Sequence, residues 1–116
     1  MAKLEKQFKG DFNHFVNHLD QAVLKGSISA SIEDKSDYTI DDVNVAVRVY
    51  ERYSYFGGNR VSLSVTIVSK EDTIFLSAIT AGGSQAVFVK INRFGEDSFL
   101  GKFDEELKNY LSRYAQ

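Results

Sequence analysis

The 116-residue sequence contains no cysteine, no proline and no tryptophan. Without cysteine there are no disulfides, no thiol nucleophiles and no zinc ribbons. Average usage would supply about six prolines in this length, so each tight turn must rest on Gly, Asn, Asp or Ser. No apolar run approaches the roughly 18–20 residues of a membrane-spanning helix. Met1-Ala2-Lys3-Leu4-Glu5-Lys6 carries charges where a signal peptide would be apolar. Neither sign of charge dominates: 14 Lys and Arg stand against 16 Asp and Glu, a net charge of −2. The isoelectric point is near 5.6, so no global positive field draws nucleic acid or anionic membrane. The expectation is a cytoplasmic protein with no membrane partner, no metal and no cofactor.

What is present reads as one globular domain spanning 1–116, with 43% hydrophobic and 26% charged residues. A chain of this size buries enough surface to fold without staples. Leu4, Lys6 and Phe8 alternate weakly over residues 3–9 and suit a first strand. Asp11 is placed to cap a helix whose Phe12, Phe15, Val16, Leu19, Ala22 and Val23 form one apolar stripe, with Gly26 as its left-handed terminator.

The middle of the chain is rich in strands. Ile28, Ala30 and Ile32 alternate with serines, and residues 33–42 read as an acidic, solvated connection without calcium-loop spacing. Val43, Val45, Val47 and Val49 form an inward series, and Val61, Leu63, Val65 and Ile67 another. Matching valine to valine requires paired positions of even sum, which a three-residue Gly57-Gly58-Asn59 hairpin supplies. Residues 73–81 form a strand apolar on both faces, so it is central or doubly covered and its inward face is unassigned. A sixth strand is expected over 85–92 after the Gly82-Gly83-Ser84 turn. Phe99, Leu100, Phe103, Leu107, Tyr110, Leu111 and Tyr114 then recur at helical spacing, with Gly101 as a kink or close contact. The class is α+β: strand, helix, four or five antiparallel strands, helix. In such a curved antiparallel sheet both helices should lie on one face. The outline resembles TATA-binding-protein-like and helix-grip folds.

Few residues carry chemistry. His14 and His18 stand four apart on the first helix, but no third His or Cys completes a metal site, so a solvated helix face is the better reading. The glycine pairs at 57/58 and 82/83 join strand to strand and lack the Lys and Ser/Thr of a phosphate loop. Together with Asn59, Arg60, Ser84 and Gln85 they form a glycine-rich rim at one end of the sheet, able to admit a small ligand. Glu51 continues the valine series inward; it sits at a bulge or strand end, or else in an apolar cavity with Tyr53 and Tyr55. On the opposite, open face the same register sets Arg48, Tyr50 and Arg52 beside Val68, Thr66 and Ser64. Arg and Tyr suit a homodimer interface; with Lys90 they also suit nucleic acid, ranked lower for want of positive charge.

The run Glu51-Arg52-Tyr53-Ser54-Tyr55-Phe56-Gly57-Gly58-Asn59-Arg60-Val61-Ser62-Leu63 and the run Ser77-Ala78-Ile79-Thr80-Ala81-Gly82-Gly83-Ser84-Gln85-Ala86-Val87-Phe88 resemble an uncharacterised family of small bacterial proteins, a domain of unknown function. The resemblance implies a stand-alone bacterial cytosolic domain and brings no activity, cofactor or catalytic residue. With no nucleophile elbow and no catalytic histidine arrangement, the expectation leans against an enzyme. It is a homodimeric or small-ligand-binding module, its site drawn from Arg48, Tyr50, Glu51, Arg52, Tyr53, Tyr55, Gly57, Gly58, Asn59, Gly82, Gly83, Ser84 and Gln85. The alternatives are a small enzyme or sensor built on Glu51, and a nucleic-acid binder.

Overall fold

The computed structural model describes residues 2–53, 60–82 and 89–114, and describes side chains in these ranges outside 89–98. Its elements run β1 (Lys3–Lys9), α1 (Phe12–Leu24), β2 (Ser31–Ile40), β3 (Val43–Tyr53), β4 (Arg60–Lys70), β5 (Thr73–Gly82) and α2 (Val89–Tyr114). The α1 helix starts where Asp11 dictates: the backbone N–H of His14 donates to Asp11 Oδ1 at 2.9 Å. Just past its end Gly26 takes φ +84°, open to glycine without strain. Among the described residues no helix is long and apolar enough to cross a membrane.

The five strands form one antiparallel sheet in the order β1-β5-β4-β3-β2. Asp41-Asp42 and Glu71-Asp72 are its two described tight turns, and Asp41 and Glu71 adopt φ of 52° and 55°. Asp tolerates that left-handed geometry well; Glu less so. Gly10 lies at this same end, where its N–H donates to Asp72 O. The pairs Tyr53–Arg60 and Val61–Gly82 mark the opposite end.

Three expectations are corrected. Residues 33–40, expected as part of a connection, belong to the edge strand β2, and Ile28 is buried ahead of it. The acidic residues of that stretch fit an edge, where charge and a register shift between Ile32 and Asp34 discourage pairing with foreign strands. Residues 89–92 of the proposed sixth strand are helical. Both edges of β5 are occupied, by β4 and β1, so a strand turning back from β5 would find no free partner there. Third, β3 and β4 pair with an odd sum: Arg48 meets Val65, Tyr50 meets Leu63 and Ala46 meets Ile67. The three-residue Gly57-Gly58-Asn59 loop itself lies outside the described residues.

That register decides which way β3 faces. Ala46, Arg48 and Tyr50 point into the core beside Val61, Leu63, Val65 and Ile67 of β4, while Val43, Val45, Val47 and Val49 are only half-buried on the other side. In β5 the core face is Ile74, Leu76, Ala78 and Thr80. Phe15 of α1 packs edge-on against both Phe8 of β1 and Tyr110 of α2, with ring centroids 5.0 Å apart in each case. Phe99, Phe103, Leu107 and Tyr110 supply the buried stripe of α2. Each large apolar side chain so buried is worth roughly 1.5–3 kcal/mol before chain entropy is charged against it. Among the described residues Gly101 makes no close contact: a Cβ there would meet none of them within 4 Å.

Candidate functional site

Alternation along β3 separates the residues expected to act together. Arg48, Tyr50 and Arg52 do not lie on an open face. Arg48 is 2% exposed and is held from two elements: Nε and Nη2 donate to the two carboxylate oxygens of Asp20 on α1 at 2.8 and 3.1 Å, and Nη1 donates to Asp37 Oδ1 on β2 at 2.9 Å. Burial alone would lower the guanidinium pKa, but the two carboxylates outweigh it and hold the group charged. This bidentate clamp explains how a core can accept an arginine where a valine was expected.

Tyr50 is fully buried, and among the described residues its hydroxyl has no hydrogen-bond partner. Burial, followed by the nearby Asp20 charge, pushes its phenol well above the ordinary range. Arg52 lays its guanidinium 4.6 Å from the ring centroid of Phe99, a cation–π contact. None of the three is available to a partner docking on the outer sheet face.

Glu51, expected inward at a bulge or strand end or else in an apolar cavity, lies two residues before the end of β3 and follows the valines to the outer face. There Arg60 Nη1 donates to Glu51 Oε1 at 2.7 Å, and the Arg60 guanidinium sits 5.3 Å from the ring of Tyr53. Gly82 ends β5 at φ +122°. Tyr55, Gly57, Gly58, Asn59, Gly83, Ser84 and Gln85 lie outside the described residues, and Lys90 falls on α2 rather than on the sheet. The histidines lie beside α2 on a face still open to water, His14 exposed and His18 half-buried: His14 Nδ1 and Tyr110 Oη share a 2.7 Å hydrogen bond, and His18 Nε2 lies 3.2 Å from Glu106 Oε1.

The outer face has an order of its own. Cross-strand pairing sets its side chains in rows running from β2 to β1. One row reads Tyr38, Val45, Val68, Phe75, Gln7; the next Ser36, Val47, Thr66, Ser77, Glu5; the next Asp34, Val49, Ser64, Ile79, Lys3. Tyr38 is 62% exposed, Ile40 56%, Ile79 39% and Phe75 38%. These side chains and the half-buried valines form an apolar band across all the inner strands, with an acidic residue at the β2 end of one row and a lysine at its β1 end. A shallow cavity of about 130 Å³ opens beside Val47, Val49 and Asp34.

Asp20 and Asp37 were missed as site residues because neither is near Arg48 in sequence. Phe75 and Ile79 did leave a signal, the two-sided apolarity of β5. No curated protein matches the chain. A family model covers residues 1–111, the whole sheet, α1 and all but the last three residues of α2, and by that match the chain belongs to DUF6054, a family of unknown function.

Proposed function

We propose that this protein is a non-enzymatic interaction module whose outer sheet face takes a second copy of the chain. The observation that carries the reading is the apolar band centred on Val45, Val68 and Phe75, left in contact with solvent in the single chain. Contiguous apolar surface of this kind marks interaction sites. Five strands at a spacing of about 4.8 Å, each about 30 Å long, present about 700 Å², close to the roughly 800 Å² a side of a stable interface.

The pattern of the face favours a copy of itself. Two sheets packed face to face keep their strands roughly aligned, and a two-fold axis can then lie along the strands or across them. An axis along β4 preserves each row while exchanging its ends. Asp34 then meets Lys3 of the second copy, Val45 meets Phe75, and Ile79 enters the cavity beside Val49. An axis across the strands would set Glu5 against its own copy and Asp34 against Tyr38. The first arrangement pairs opposite charges and fills the cavity, so it is the one adopted in this reading.

The bacterial cytosolic setting expected from the resemblance belongs to the same proposal. Sedimentation velocity over a hundredfold concentration range tests the pairing: a dimer that dissociates on dilution and is lost in Phe75→Asp supports the reading. A monomer throughout contradicts it.

A further inference from the structure

On the other side of the sheet, α1 and β2 meet loosely, and a cleft of about 260 Å³ lies between them over β3. Its wall from α1 carries Asn13, Asn17 and Asp20, one to two turns apart on a single helix face. Asp37 and Thr39 of β2 and Asn44 and Arg48 of β3 complete its polar lining. Thr39 donates to Asn44 Oδ1 at 3.1 Å, and the Asn44 amide donates to Ser69 at 3.3 Å, so part of the lining is already fixed in orientation.

We infer that this cleft is a binding site for a small hydroxylated primary amine of monosaccharide size. The charges select the ligand's sign. Arg48 is already spent on Asp20 and Asp37, so the three groups together carry −1, and an anion entering the cleft would meet repulsion. Both Asp20 oxygens serve Arg48, whereas Asp37 gives it one oxygen and keeps a side chain 60% exposed. That carboxylate and the amide oxygens of Asn13 and Asn17 match the three donors of an ammonium group. Hydroxyls elsewhere on the ligand find Thr39 and the remaining amide groups. The half-buried Phe12 supplies an apolar patch on the same wall. This inference needs no second copy, because every lining residue comes from one chain, though Tyr38 and Val45 of the outer row also border the cleft.

Three ring-matched probes of different charge separate the alternatives: glucosamine as the cation, glucose as the neutral isostere and glucuronate as the anion. Each is titrated into ¹⁵N-labelled protein on the acidic side of neutrality, with amide shifts followed by NMR. Saturable shifts with glucosamine, centred on Asn13, Asn17, Asp37 and Asn44, are expected, with glucose weaker and glucuronate silent. Asp37→Asn and Asn17→Leu, both at solvent-accessible positions, should each weaken glucosamine by about tenfold or more, the loss of one charge-assisted or polar bond. Absence of saturable shifts, shifts centred elsewhere, equal response to glucuronate, or unaltered affinity in Asp37→Asn would each overturn the inference.

Discussion

Arg48 and Val65 stand directly opposite one another across β3 and β4, and both side chains point into the core. A charged group is tolerated there because Asp20, at the far end of a 28-residue separation, closes two hydrogen bonds on it. Without that carboxylate the guanidinium would be a buried charge held by the more exposed Asp37 and the Val47 carbonyl oxygen.

Unequal effects of the two carboxylates follow from this geometry. Asp20→Ala should cost about 3 kcal/mol, the penalty for breaking a buried pair from one side. Asp37→Ala, whose side chain is 60% exposed, should cost under about 1 kcal/mol. Urea denaturation of the two variants measures the difference, and equal losses would contradict the assigned roles.

The Tyr50 hydroxyl is the reverse case. It is buried without a partner among the described residues, so Tyr50→Phe removes a desolvated polar group and leaves the ring packing intact. The variant should be as stable as the parent or more stable by about 1 kcal/mol. A loss above that figure in denaturant titration would show that the hydroxyl is bonded in solution.

Two glycines should respond with opposite sign. At Gly101 in α2 an added methyl would meet none of the described residues within 4 Å, and Gly101→Ala should gain about 0.5–1 kcal/mol from helix propensity. At Gly82, with φ +122°, the added Cβ would lie 2.6 Å from the Arg60 backbone oxygen. Gly82→Ala should therefore cost about 2 kcal/mol or more through backbone strain. Thermal melts of the two variants read both signs.

Much of this architecture is legible in the sequence, for local reasons. Asp11 and Gly26 bracket α1, the alternating runs beginning near Val43, Val61 and Thr73 mark β3, β4 and β5, and the three-and-four spacing of Phe99, Phe103, Leu107 and Tyr110 defines the buried face of α2. The orientation of β3 is not legible in the same way. Its valines form the more apolar face, and the ordinary rule turns that face inward. The rule fails because Arg48 acquires Asp20 and Asp37 only after the helix and the edge strand are in place. The outer face carries the valines for the same reason, and Glu51 travels with them. Residues 33–40 were misjudged because edge strands need charge, and charge looks like a loop.

Charge exchange tests the handedness of the proposed pairing. Lys3→Glu should weaken dimerisation by setting like charges against Asp34 of the second copy, and adding Asp34→Lys should restore it. Failure of the double variant to recover, while each single variant folds normally, would remove the row-preserving arrangement.

The most direct measurement uses the absence of native cysteine. Facing sheets lie about 10 Å apart, beyond the reach of a disulfide but within that of a short bifunctional maleimide. A two-fold axis along β4 brings residue 68 against its own copy, so Val68→Cys should crosslink to a covalent dimer at micromolar protein, while Val47→Cys, displaced from the axis, should crosslink poorly. Efficient crosslinking of Val47→Cys with none at Val68→Cys, or monomer from both, would contradict the account.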